Sequence, residues 1–179
     1  MPDIARLVAA IIKCDLSRRS LGEGGTSDQV LTAVEAIEGV FPELARRIVP
    51  FGYDWLGRHF VVDLGRIADG VPQVLMLEVG AGEAMQIPAS IEDFHNIELV
   101  NFADDALSVP FWNRWREINS DPLPYQDCAG YKIPLFLGGA DDVFNLETIN
   151  MSVYVHICGQ LRNKTLSPRR TVNWTYIHK

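Results

Sequence analysis

Three short segments with strand character follow one another in the middle of the chain, and they constrain its fold more than any other feature. Each is rich in β-branched or large apolar residues and is bounded by glycines or a proline. The segments are RHFVVDL (58–64), PQVLMLEV (72–79) and EAMQIP (83–88). A fourth strand is predicted over FNLETI (144–149).

Helical patterns lie on both sides of these strands. Strands in the middle with helices before and after predict an α+β fold, with a central, mainly antiparallel sheet flanked by helices. We expect three parts: an N-terminal helical segment (1–40), an α+β domain (41–162) and a basic C-terminal tail (163–179). The predicted helices span about residues 3–14, 28–37, 42–48, 91–100, 110–119 and 150–162.

The stretch VGAGE at 79–83 looks like the glycine turn of a cofactor-binding enzyme. Such a turn needs a helix that starts at its last glycine, so that free N–H groups face a charged ligand. Here Glu83 places a carboxylate where the ligand would approach, and Pro88 would interrupt the helix in its second turn. The glycines suit a hairpin turn better, because glycine adopts a positive φ without strain. We therefore expect no cofactor.

Residue patterns typical of catalysis or metal binding are missing. His59 and Asp63 lie four residues apart on a predicted strand, so their side chains would point to the same face of the sheet. Two ligands are too few for a metal site, and His95 or His156 would have to supply another. No HxH, HExxH or CxxC spacing supports that arrangement. The three cysteines are widely spaced and are expected to be reduced. We expect no catalytic residue and no bound metal.

The charge of the chain is uneven. The segment 163–179 carries four cationic side chains and no acid, which leaves −11 for the segment 1–162 when the total is −7. An acidic body argues against direct binding of nucleic acid and favours a basic partner, although solubility alone would also explain it. No segment is long enough to span a bilayer and no export signal is evident. We expect a cytoplasmic protein without membrane association.

Three stretches together resemble a known family. They are FGYDWLGRHFVVDL (51–64), LMLEVGAGEAMQIPASIEDF (75–94) and YKIPLFLGGADDVFNLETINMSVYVHICGQLR (131–162). They look like the GAD-like, Tdi-type immunity domain of bacterial type VI secretion systems, which is similar to the broader Smi/Knr-type immunity group. The resemblance covers about residues 41–162, whereas the segment 1–40 and the tail after Lys164 depart from it.

The resemblance implies a non-enzymatic antitoxin. Such proteins bind the DNase effector encoded beside them in the cytoplasm of the producing cell. The partner would be a basic nuclease, which the antitoxin would inhibit by covering the active site or the DNA channel, or by holding a mobile part inactive. We expect a monomer when the protein is free and a heterodimer when it is bound to its toxin.

Candidate toxin-binding residues begin with the aromatic turn. Trp55, with Asp54 before it and Arg58 after it, fits an interface anchor, because a large rigid side chain buries area at a small entropic cost. An equally good alternative is that Trp55 packs onto the sheet. Glu78 interrupts an apolar strand, so it either faces the partner or forms an internal pair with Arg58 or Lys132.

Four more acids complete the predicted binding site. They lie at turns or strand ends, where each alone would be merely solvated, and as a group they would form an acidic surface. They are Glu83, Asp141, Asp142 and Glu147.

Two other classes of function remain open. A small metal-dependent or nucleotide-modifying enzyme would carry a metal or cofactor when purified. A generic regulatory domain of the same fold would have no toxin, because a fold does not determine a function.

Overall fold

The computed structural model describes residues 34–165 and 174–176. Its strands are β1 (Ile48–Tyr53), β2 (His59–Ala68), β3 (Val71–Glu78), β4 (Glu83–Ile87), β5 (Asp127–Tyr131), β6 (Leu146–Asn150) and β7 (Trp174–Tyr176). Its helices are α1 (34–40), α2 (91–101), α3 (Ala103–Ala106), α4 (Val109–Ile118) and α5 (Met151–Thr165). Single 3-10 turns occupy Pro42–Leu44, Leu135–Leu137 and Val143–Asn145, and the middle of α2, Phe94–Glu98, is a π-helical turn.

The main sheet has the strand order β1-β2-β3-β4-β7. The first four strands are antiparallel neighbours, and β7 joins β4 in parallel. Strands β5 and β6 form a separate antiparallel pair. The predicted α+β fold with a mainly antiparallel sheet is therefore confirmed.

Both faces of the main sheet are covered. On β3, Val74 and Met76 face the core that α2, α3 and α4 cover, whereas Leu75 and Leu77 face the core that α1 and α5 cover. Successive side chains of a strand point to opposite faces, so a strand buried on both sides needs apolar residues at every position. This requirement explains the unbroken apolar run VLML at 74–77.

The glycine turn at 79–82 is a hairpin between β3 and β4, as predicted. Gly82 has φ +66°, a value that favours glycine. Gly80 is required for a different reason, because a Cβ there would lie 2.5 Å from the Tyr131 ring and from the Tyr154 hydroxyl. Close packing, and not backbone conformation, excludes a side chain at position 80.

Several predicted elements need correction. The helix expected over 42–48 is wrong: the chain makes one 3-10 turn, passes through Arg46 at φ +63° and enters β1. A residue in the left-handed region ends a helix, and Pro50 could not have continued one. Strand β5 is not among the predicted strands, and β7 lies in the predicted C-terminal tail. The helix expected over 3–14 lies outside the described residues.

The boundaries at residues 40 and 162 stay predictions. The described chain shows α5 continuing to Thr165. Within residues 34–165 and 174–176, no helix is both long enough and apolar enough to cross a membrane.

Candidate partner-binding site

Four of the predicted toxin-binding residues lie inside the protein. Asp54, Trp55, Arg58 and Glu78 are all buried. Three of them belong to the turn between β1 and β2, and Glu78 ends β3. Their assignment to a toxin-binding surface stays a prediction, and the geometry gives each of them an internal role.

Asp54 organises the turn that connects β1 to β2. Its Oδ1 accepts hydrogen bonds from the backbone N–H groups of Leu56 (3.0 Å) and Arg58 (3.1 Å). Its Oδ2 accepts from Arg58 Nε at 2.6 Å. Gly57, at φ +82°, supplies the left-handed residue that the tight turn needs. The sequence DWLGR therefore closes the turn around one carboxylate.

Arg58 connects this turn to the helical layer. Its guanidinium donates to Ser108 Oγ and to the backbone carbonyl of Ala106, both at 3.0 Å. Arg58 Nε also lies 3.9 Å from Glu78 Oε2. Burial opposes the charge, but the carboxylates of Asp54 and Glu78 raise the pKa of Arg58 above its ordinary value. We call Asp54, Arg58 and Glu78 the Arg58 cluster.

Glu78 is the less well satisfied acid of the Arg58 cluster. Of the two internal partners predicted for it, Arg58 is the one found, whereas Lys132 donates to the Phe144 carbonyl. Glu78 Oε1 has no hydrogen-bond partner among the described residues. Burial raises the pKa of Glu78 to about 8, because the charge of Arg58 offsets the loss of solvation only in part.

This raised pKa predicts that the protein loses stability as the pH rises from 6.5 to 8. The folded state then holds a proton on Glu78 that the unfolded chain has released, so each pH unit lowers the free energy of unfolding by up to about 1.4 kcal/mol. His59, whose pKa burial lowers to about 4, contributes the opposite slope below pH 6.5, which is why the higher window is chosen. Urea unfolding at each pH measures the slope.

Glu78→Gln is the control for this pH dependence, since the amide cannot titrate. The variant should have a nearly flat stability between pH 6.5 and 8. An equal slope in the variant and the original chain would show that another group is responsible.

The segment between β5 and β6, residues 132–145, packs against the β3–β4 hairpin. The Gly80 carbonyl accepts a hydrogen bond from the backbone N–H of Leu135 at 2.8 Å. Tyr131, at the end of β5, packs on Gly80 and donates from its hydroxyl to Asp141 Oδ1 at 2.7 Å. We call this segment the 132–145 loop.

Hydrogen bonds within the 132–145 loop determine its conformation. Asn145 Oδ1 accepts from Ile133 N–H at 3.1 Å, and Asn145 Nδ2 donates to the carbonyls of Ile133 (2.9 Å) and Ala140 (2.8 Å). Lys132 Nζ donates to the Phe144 carbonyl at 2.9 Å. A Cβ at Gly139 would lie 1.9 Å from the Ile133 carbonyl oxygen, so only glycine fits there. Hydrogen bonds therefore join the two ends of the loop to each other.

Three of the four predicted surface acids lie on this loop or directly after it. Asp141 and Glu147 are exposed, and Asp142 is half-buried. Asp142 also caps the 143–145 turn by accepting from Phe144 N–H at 2.9 Å. Glu83 is half-buried at the start of β4, opposite Glu78. Their participation in toxin binding stays a prediction.

Sequence reasoning missed the apolar residues that the 132–145 loop exposes. Phe144 is 74% exposed, Ile133 55% and Leu137 41%. A strand predicted over 144–149 gave no reason to expect a solvated phenylalanine. The signal that could have found it is the aspartate cap two residues earlier, which favours a turn.

The residues considered for metal binding have other partners. His59 Nδ1 lies 3.1 Å from the Gly57 carbonyl. Asp63 is buried and accepts from Arg47 Nε at 2.8 Å. In the described part of the chain, no three histidines, cysteines, aspartates or glutamates are grouped so that they could hold a metal ion.

Comparisons with known proteins agree with this architecture. The chain is similar to a solved protein described as "Crystal structure of Atu4351 from Agrobacterium tumefaciens", with 10% identity and a TM-score of 0.53. The similarity covers 73% of this chain but only 64% of the other, and at this identity it shows a shared fold alone. No curated protein matches the sequence.

A family model gives more specific information. Residues 89–162 match the model described as "T6SS immunity protein Tdi1, C-terminal". The matched residues run from the end of the β3–β4 hairpin through α2, α4, the 132–145 loop and most of α5. The match supports a type VI secretion immunity domain in this part of the chain.

Proposed function

We propose that the protein is an immunity protein that binds and neutralises a cognate DNase effector in the cytoplasm of the producing cell, and that it belongs to the GAD-like, Tdi-type subgroup. The observation that carries this proposal is the match of residues 89–162 to the immunity family. The protein acts by binding and has no turnover of its own. It covers the active site or the DNA channel of the nuclease.

The charge of the chain supports a basic partner. The net charge is −7, and in the segment 1–162 the acids outnumber the cations by 11. A nuclease that holds DNA needs a positive surface, because its substrate is a polyanion. Opposite charges on the two proteins accelerate their encounter and disfavour wrong partners. Rapid capture matters when the uncaptured toxin cuts the chromosome.

The structure also supports binding as a nearly rigid body. The hydrogen bonds of Asp54 and Arg58 join the main sheet to the helical layer, and those of Asn145 hold the 132–145 loop. A surface that is ordered before binding loses little conformational entropy when the complex forms. Tight inhibition is therefore compatible with an interface of ordinary size.

Co-expression with the product of the adjacent gene tests the proposal. We expect the two proteins to co-purify as a 1:1 complex, measured by size-exclusion chromatography with light scattering. The free protein should elute as a monomer. Separate elution of two well-folded proteins at micromolar concentration would contradict the proposal.

A further inference from the structure

The 132–145 loop exposes large apolar side chains from a backbone that is fixed in place. Among the large apolar residues in the described part of the chain, Phe144 has the most exposed side chain. Ile133 lies on the opposite arm of the loop, next to the Lys132 backbone N–H that donates to the Asn145 carbonyl at 2.7 Å. Both side chains are therefore exposed on backbone segments that hydrogen bonds hold next to each other.

We propose that this loop is the main contact with the toxin, with Phe144 as its anchor and the exposed Ile133 and Leu137 of the same loop as further contacts. The inference rests on the proposed immunity function and specifies its surface. The occupant is the nuclease itself, which would present an apolar pocket surrounded by basic residues. This assignment differs from the sequence-based expectation, which placed the aromatic anchor at Trp55.

The fixed backbone makes Phe144 suitable as an anchor. Asn145, its neighbour, makes three hydrogen bonds across the loop, and the Phe144 carbonyl accepts from Lys132 Nζ. Phe144 N–H donates to Asp142 Oδ1. Only the side-chain torsions of Phe144 have to be ordered on binding. Aromatic residues of this kind carry a large share of the energy at protein interfaces.

The charges around the loop select a basic partner. Residues 132–147 contain one lysine and three acids, for a net charge of −2. The ammonium of that lysine is already committed to the Phe144 carbonyl, 2.9 Å away. Asp141 and Glu147 are exposed, and their carboxylates would meet cations that surround the pocket. We call Asp141 and Glu147 the acidic rim of the loop. Apolar side chains together with this acidic rim are complementary to a basic protein and not to DNA.

The test compares Phe144→Ala with Ile67→Ala. Ile67 is 61% exposed on β2, near the end of β3 that is far from Gly80, so the control removes a similarly exposed apolar side chain away from the loop. The probe is the purified product of the adjacent gene, and binding is measured by surface plasmon resonance. Phe144→Ala should weaken binding about 30-fold, mainly by faster dissociation, with an unchanged Tm. Ile67→Ala should change the affinity less than twofold.

A second pair of variants tests the acidic rim. Glu147→Gln should slow association about threefold at low salt, and the difference should shrink at high salt. Asp69→Asn is the control, because it removes the same charge at the β2–β3 turn and asparagine tolerates the φ of +50° there. Its association rate should stay close to that of the original chain.

The outcomes distinguish a failure of the proposed toxin-binding surface from a failure of the proposed immunity function. Wild-type binding with no loss in Phe144→Ala overturns the proposed surface and leaves the immunity function standing. No binding by the original chain overturns both. Equal losses in Phe144→Ala and Ile67→Ala also overturn the surface, because the effect would not be local.

Discussion

Arg58→Met is expected to lower the free energy of unfolding by about 3–5 kcal/mol. Methionine keeps much of the length of the side chain but removes the cation between Asp54 and Glu78, both of which are buried. The hydrogen bonds to Ser108 Oγ and to the Ala106 carbonyl are lost as well. The cost is large because an uncompensated carboxylate remains in the interior. Urea denaturation followed by circular dichroism measures it.

A double variant shows whether this loss comes from the Arg58 cluster. At about pH 9, above the pKa of about 8 at which Glu78 ionises, adding Glu78→Gln to Arg58→Met removes one of the two charged carboxylates, so the double variant should recover part of the stability that the single variant loses. Additive losses would mean that Arg58 and Glu78 do not interact. A loss below about 1 kcal/mol in Arg58→Met would contradict the structural role described for the cluster.

Trp55→Ala is expected to destabilise the protein by a similar amount, about 3–5 kcal/mol. The Trp55 ring packs against Phe111, Trp112 and Trp115 of α4, with centroid distances of 5.7, 5.2 and 5.9 Å. Its indole Nε1 donates to the Leu107 carbonyl at 2.9 Å. Alanine leaves a cavity where the turn meets α4. Thermal and urea unfolding measure the change.

Trp55→Phe distinguishes the contribution of ring packing to stability from that of the hydrogen bond to the Leu107 carbonyl. Phenylalanine keeps most of the apolar contact but leaves the Leu107 carbonyl without its donor, so the loss should be about 1–3 kcal/mol. Full stability in Trp55→Ala would contradict the buried position of this ring.

The central part of the fold was predictable because its signals are local. The three strands between residues 58 and 88 are short, rich in β-branched or large apolar residues and bounded by glycines or a proline, and Pro88 excludes a helix after the glycine turn. Strand β5 could not be predicted from its own residues, DCAGY, which have little strand propensity. It forms because it pairs with β6, which follows only after the whole 132–145 loop. Such pairing depends on tertiary contacts.

The candidate site was predictable only in part, for a related reason. The exposure of Asp141 and Glu147 follows from their charge and their place near turns. The local sequences of Trp55 and Phe144 do not determine their burial: an interface anchor and a ring packed onto the sheet were equally good expectations for Trp55. Trp55 lies in a turn beside a charged residue yet packs under α4, whereas Phe144 lies in a strand-like segment yet faces solvent. Each outcome depends on which element packs over the residue, and short-range patterns do not contain that information.

Titration of a DNase with this protein tests the immunity function most directly. The purified product of the adjacent gene would be incubated with plasmid DNA and increasing amounts of the protein, and Phe144→Ala would be run beside it. We predict that DNA degradation falls to background at one equivalent of the original chain, and that Phe144→Ala needs a clear excess. Undiminished degradation in a large excess of the folded original chain would contradict the immunity function.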